Sequence, residues 1–230
     1  MEEKVSFYLP TRKGSERVKD KNTKTFAGFD GGLVENKIKQ LLQTRLIDEI
    51  IFSSNDEKCI DVAQKYDDSR LRIVERPEEL CLSSTNLQDL ICYVPTVTDA
   101  AHILWGHVTT PLCGPEQYDN AISIYKEKLQ EGYDSLVGVT ELKNFLLDKN
   151  GRLVNNTTDI PWPRTQDLEP LYPINHTIFL AKREVYEEQK NRIGRKPLLH
   201  IMDEIHSFDI DWPDDFTIAE ILYMNLYGKK

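Results

Sequence analysis

The chain has 230 residues, 40% of them hydrophobic and 29% charged, with a formal net charge of −9; this is enough apolar material for one buried core and excludes a disordered chain. The acidic balance argues against general affinity for nucleic acid or anionic membrane and leaves a small ligand as the expected partner. No run approaches the ~18 apolar residues of a membrane span, MEEKVSFYLP lacks the pattern of a secretory leader, and Cys59, Cys81, Cys92 and Cys113 show no C-x-x-C spacing; a cytoplasmic protein with reduced thiols and no zinc site is expected.

The first predicted element is the short apolar run VSFY, read as a buried strand. The loop Leu9 to Asn22 follows at its carboxyl end. From Arg12 to Lys24 the chain carries six cationic residues against two acidic ones, a cationic loop in an acidic protein. Charged loops are commonly only solvated, but here the order is specific. Pro10 stiffens the exit from the strand, Arg12 offers a planar fork, Gly14 and Ser15 form a turn that lets backbone N–H groups approach a ligand, and Lys21-Asn22 closes the loop. That is what polyphosphate binding requires.

Leu33 to Thr44 has helical spacing, EIIFSS is a buried strand, Asp56 to Tyr66 a helix entered through Asn55 or Asp56, and LRIVE a short strand. This alternation predicts parallel β-α-β units, hence a three-layer, doubly wound, mostly parallel α/β sheet. Arg76 to Val94 opens as a loop and becomes a helix. Ala101 to Leu112 is a strand running into a polar loop, Pro115 to Gln130 a helix with a buried stripe, and SLVGVT a strand. From 141 to 173 the pattern breaks into short apolar pieces, an Asn150-Gly151 hairpin signal and the turn-rich IPWPRTQDLEP. The whole chain reads as one domain, with 141–173 an insertion that covers the substrate or meets a partner subunit. INHTIFLA returns to strand character, a charged helix follows from Lys182 to about Arg192, and HSFDIDWPDDFTIAEILY closes with a strand, a turn and a helix capped by Asp214.

Asp209-Ile210-Asp211 is the second chemical feature. In a strand, residues two apart share a face ~7 Å along the chain, and two carboxylates so placed favour a cation between them and substrate phosphates. Mg2+ fits, with a solvent-facing acidic turn as the bland alternative.

Both stretches resemble the signatures of the acylneuraminate cytidylyltransferases, the CMP-sialic acid synthetase family. Leu9, Pro10, Arg12, Ser15, Lys21 and Asn22 match its first loop, I-P-A-R-x-x-S-K followed by K-N, with Thr11 for the usual Ala and Glu16 for the usual Lys. The related Kdo-activating family typically ends this loop in K-P. Asp209, Asp211, Asp215, Ala219 and Glu220 match the terminal D-I-D-x-x-x-D-x-x-x-A-E, and Arg76 to Leu80 matches R-P-x-E-L. HVTTPL stands for Q-P-T-S-P-L, with His107 at the Gln and Val108 at the Pro. Asn175 matches the Asn of N-G-A-I-Y, with His176 at its Gly.

The resemblance implies a Rossmann-like nucleotidyltransferase fold and activation of a nonulosonic, sialic-acid-like sugar acid with CTP, in a homodimer. Arg12, Lys21 and Asp211 would be catalytic, and Asp209 with Asp211 would hold Mg2+. Arg12, Gly14, Ser15, Lys21, Asn22, Arg76, Ser84, Thr85 and Asn86 would bind the nucleotide; His107, Thr109, Arg164, Gln166 and Asn175 would bind the sugar. The alternatives are a Kdo-type or other sugar nucleotidyltransferase, a glycosyltransferase using Asp209-x-Asp211 as a D-x-D motif, and a non-catalytic nucleotide-binding protein.

Overall fold

The structure, a computed structural model, describes residues 3–14 and 17–228. In chain order its first half runs β1 (Val5–Pro10), α1 (Gly32–Leu42), β2 (Glu49–Ser54), α2 (Glu57–Ala63), β3 (Leu71–Glu75), α3 (Leu87–Tyr93) and β4 (His102–Trp105). The second half runs α4 (Pro115–Lys128), β5 (Ser135–Val139), β6 (Ile174–Lys182), α5 (Arg183–Glu188), β7 (Pro197–Ile201) and α6 (Pro213–Tyr227). The strands form one sheet in the order β3-β2-β1-β4-β6-β5-β7. Every pairing is parallel except those of β6, which runs antiparallel to both β4 and β5. The expected mostly parallel, doubly wound sheet is what forms.

The alternation of side chains across each strand sorts the core into two layers. Phe7, Leu9, Ile50, Phe52 and Leu104 point to one face and pack under α1, α2, α4 and α6; Tyr8, Ile51, Ile103 and Trp105 point to the other and pack under α3 and α5. Strands covered on both faces must be apolar throughout, which is why VSFY and EIIF show no polar alternation. Full burial of each such large side chain contributes roughly 1.5–3 kcal/mol.

Asp56 is the cap of α2, accepting from the Lys58 amide at 3.1 Å. The 141–173 segment is irregular apart from a 3-10 turn at Thr165–Asp167 and two bridges, Leu142 with Leu171 and Leu147 with Leu153, the second closed through the Asn150-Gly151 turn. Three expectations are corrected. Asp209 to Asp211 is not a strand: β7 occupies the sheet edge beside β5, so the acidic segment has no strand to pair with and crosses over the sheet's end instead. At the start of α6 it is Asp215, not Asp214, whose carboxylate receives backbone amides, those of Asp211 at 3.0 Å and Trp212 at 2.7 Å. The helix after Lys182 ends at Glu188.

Candidate active site

Strand β1 connects leftward to β2 and its other neighbour, β4, leads rightward, so the winding reverses between them. In an open α/β sheet the crevice at the carboxyl ends of the strands at such a point is where ligands bind. Here the loops after β1, β3 and β4 enclose a cleft of about 470 Å3. Arg12, Gly14, Lys21, Asn22, Arg76, Thr85, Asn86, His107, Thr109 and Asp211 all line it, residues that the sequence had nominated from four separate stretches.

The first loop is tied down where it leaves the strand. The Thr11 amide donates to the Ser53 carbonyl at 2.9 Å and its hydroxyl to Ser54 Oγ at 2.8 Å, a bond the Ala of the related motif does not make. Gly14 has φ +84°, the left-handed region that other residues enter only at a cost, and a Cβ there would meet nothing within 4 Å. Ser15 lies outside the described residues. Arg76 supports this loop from below: it is buried, and its Nη2 donates to the Thr11 carbonyl at 2.5 Å while Nε reaches Cys81 Sγ at 3.1 Å. Among the described residues its Nη1 has no hydrogen-bond partner. Asn86 uses its side chain to cap α3, accepting from the Gln88 amide at 3.0 Å.

The acidic segment crosses the cleft through one residue. Ile210 donates its amide to the Thr109 carbonyl at 2.9 Å and accepts Lys21 Nζ at 2.7 Å on its own carbonyl. The backbone between the two aspartates is therefore pinned to the β4 loop on one side and the cationic loop on the other. Asp211 reaches Arg17 Nη1 at 2.7 Å, and that guanidinium stacks on the Trp212 ring at 4.8 Å. Asp209 turns inward: among the described residues its Oδ1 is buried without a hydrogen-bond partner, and burial, with the Asp211 charge adding, raises its pKa against a hydrogen bond from the Thr109 side chain. Burial pushes Lys21 down, against the opposing pull of Asp209 and Asp211.

His107 stands at the other end of the cleft with both ring nitrogens engaged. Trp105 Nε1 donates to Nε2 at 3.2 Å, which leaves Nδ1 carrying the proton that meets the His176 carbonyl at 2.8 Å. The ring is held neutral and its pKa is pushed down by burial to about 4. Neither nitrogen is left for a ligand, in contrast to the amide of the related motif. His176, at the motif's glycine, keeps φ +60°.

Other nominated residues lie elsewhere. Ser84 and Asp209 do not line the cleft. Arg164, 72% exposed, forks onto its neighbour Asp167 at 2.8 and 3.0 Å in the 141–173 segment, where Gln166 also sits. Asn175 is buried and accepts the Thr177 hydroxyl at 2.5 Å. One structural group escaped notice. Lys37 is fully buried, donating to the carbonyls of Thr110 at 2.9 Å and Cys113 at 2.7 Å and to the Tyr118 hydroxyl at 2.9 Å, while Asn36 and Gln40 hold the Pro111 carbonyl. Helix α1 thus fixes the loop that carries His107 and Thr109. The signal was present: Lys37 falls on the apolar stripe of Leu33, Val34 and Leu41, where a lysine must find oxygens.

Comparison with known proteins gives the family and the fold. The chain is 27% identical over 228 residues to a CMP-N,N'-diacetyllegionaminic acid synthase of Legionella pneumophila, covering 93% of this chain and 94% of that one. It is 24% identical over 235 residues to a pseudaminic acid cytidylyltransferase of Campylobacter jejuni, 94% of each chain. An N-acylneuraminate cytidylyltransferase of Streptococcus agalactiae is 24% identical over 90% of this chain and 50% of its own. Among solved structures, a 4-diphosphocytidyl-2C-methyl-D-erythritol synthase from Anaerococcus prevotii superposes with a TM-score of 0.65 at 14% identity, covering 97% and 96% of the two chains. A CMP:2-keto-3-deoxy-manno-octonic acid synthetase complexed with CTP superposes at 0.56 and 12% identity, covering 96% and 86%. These likenesses speak for the fold. The family model described as Cytidylyltransferase matches residues 7–228, essentially all the elements that build the cleft, and the chain belongs to that family of nucleotidyltransferases.

Proposed function

We infer that this protein transfers the cytidylyl group of CTP to a sugar acid of the nonulosonic class, releasing pyrophosphate. The observation that carries the reading is the crossing of the cationic β1 loop by the acidic segment at Ile210, which brings Arg12, Arg17 and Lys21 to one wall and Asp211 across from them. The acceptor's hydroxyl oxygen forms a bond to the α-phosphorus, the bond from that phosphorus to the β-phosphate bridge breaks, pyrophosphate departs and the hydroxyl proton passes to solvent. Such chemistry asks the protein to position the reactants and neutralise charge. Arg12 and Lys21 hold the triphosphate, Arg76 keeps the first loop in place from beneath, and the 85–87 turn at the start of α3 faces the nucleoside.

Asp209 and Asp211 are the residues that would hold Mg2+, for which the buried Oδ1 of Asp209, without a hydrogen-bond partner among the described residues, is a suitable oxygen donor. When bound, the ion lowers the pKa of the attacking hydroxyl and offsets phosphate charge. Exposed apolar side chains on the 141–173 segment, Trp162 at 74% and Leu147 at 61%, support a homodimer in which that segment meets the partner. The test is pyrophosphate release from CTP with N-acylneuraminic, legionaminic and pseudaminic acids and with Kdo. Release with one of the nonulosonic acids is expected; release with Kdo alone, or with none, would overturn the substrate class.

A further inference from the structure

The cations already described gather at the triphosphate end of the cleft, yet a sugar acid brings a carboxylate of its own. Arg164, the arginine that the sequence offered for it, is held by Asp167 outside the cleft in this chain. Behind the Trp105 wall of the cleft stands an arginine that nothing above uses and that does not itself line the cleft. Arg192 lies in the turn between α5 and β7, with its guanidinium carbon 3.7 Å above the Phe179 ring and 5.0 Å from the Trp105 ring centroid. Phe179 and Trp105 are paired across β6 and β4, so the two rings form one platform, and Trp105, with its hydrogen-bond partner His107, lines the cleft.

The guanidinium lies over this platform and is partly buried, and among the described residues no carboxylate comes within 4 Å of it and no side-chain hydrogen bond satisfies it. Burial pushes its pKa down to about 10, against a smaller opposing pull from Tyr186. Natural proteins leave few buried charges in that condition, because the cost is recovered only when an anion arrives. The placement is fixed by the chain around it. The Gln88 side chain on α3 donates to the Lys190 carbonyl, Lys190 itself has φ +50°, and Asn191 Oδ1 accepts the Arg192 amide at 2.8 Å. A guanidinium set over an aromatic face presents its N–H donors at its own edges, where they can fork onto a carboxylate.

We propose that Arg192 is the acceptor-recognition residue of this site and takes the carboxylate of the sugar acid on the platform of Phe179 and Trp105. The proposal rests on the cytidylyltransfer reading above and assigns the acceptor end of the same cleft. The triphosphate end and the acceptor end then carry separate cations, so the two substrates are read independently.

The experiment measures steady-state pyrophosphate release by the full chain with the sugar acid that the wild type uses best, varying CTP and acid separately. Arg192→Gln is expected to raise the KM for the acid roughly 10- to 100-fold, the range of a charge-assisted pair, with the KM for CTP changed less than about twofold. Arg192→Lys should recover part of the loss. The carboxamide analogue of the acid should be a poor substrate for wild type but no worse than the acid for Arg192→Gln. Wild-type turnover combined with an unchanged acid KM in Arg192→Gln overturns the assignment alone; so does a variant in which both KM values rise together. A wild type that turns over none of the acids overturns the functional reading and this assignment with it.

Discussion

His107 shows how a single side chain can line a site and still be occupied by the protein. The unfolded ring takes a proton near pH 6.5, whereas the folded ring, buried and accepting from Trp105, takes it only near about 4. Between those values the unfolded state binds more protons, so stability falls as pH drops from about 6.5 towards 4, by up to roughly 3 kcal/mol. His102 and His200, also pushed down by burial, act with the same sign. His107→Gln is therefore expected to remove only part of the acid decline, seen as a smaller difference between urea midpoints at pH 7 and pH 5 than in wild type. Equal declines in the two proteins would mean that the ring titrates freely. At this scale the sequence was legible where charge is local: Arg12, Lys21 and Asp211 stand out by composition and spacing alone. Arg192 and Lys37 did not, because their meaning comes from the rings and carbonyls that other parts of the chain bring against them.

At the scale of elements, the strands buried on both faces were readable from continuous apolar runs. β7 was not. PLLHI starts with a proline and leaves Leu199 and Ile201 exposed at 44% and 54%, so neither period nor burial marked it, as befits an edge strand. The Asp209 to Asp211 segment had the alternation of a strand but no free partner, and hydrogen bonds from two loops and from Asp215 hold it instead. This changes what substitutions should do. Asp211→Asn removes an exposed ion pair with Arg17, worth at most about 1 kcal/mol, so the unfolding midpoint should barely move, while turnover falls at least about 100-fold with CTP affinity nearly intact. Asp215→Ala removes the acceptor for two backbone amides and should cost about 1–2 kcal/mol, with a smaller, few-fold loss of turnover through the slackened segment. Turnover against Mg2+ concentration and unfolding midpoints for both variants decide it. Normal turnover by Asp211→Asn at limiting Mg2+ would place the ion elsewhere.

Among the described residues, large apolar side chains are exposed on α6, where Ile218, Ile221 and Met224 are 45%, 56% and 52% exposed, and on the 141–173 segment. Leu147, Val154, Ile160 and Trp162 of the 141–173 segment are 61%, 53%, 59% and 74% exposed, and Phe145 meets Trp162 in a tilted contact at 5.5 Å without covering it. Side chains of this size left in water on a segment with little regular structure do not stabilise a monomer. Against a second copy the same residues would bury an apolar surface at the centre of a closed, two-fold interface. A homodimer is the expected state in solution, and Trp162→Glu, which sets a charge where apolar contact is needed, should shift the sedimenting species towards the monomer at micromolar concentration. Because the segment contributes little to the core beneath the sheet, the unfolding midpoint of the monomeric variant should fall only by the share that dimerisation supplied, and should stop depending on protein concentration. Arg164 lies two residues away on the same exposed turn. If it serves the partner's cleft, the monomer should lose acceptor affinity while CTP binding persists, and mixing it with an Arg192→Gln protein should not restore turnover. A wild type that sediments as a monomer at every concentration would remove the partner from the mechanism and leave recognition of the acid to each chain alone.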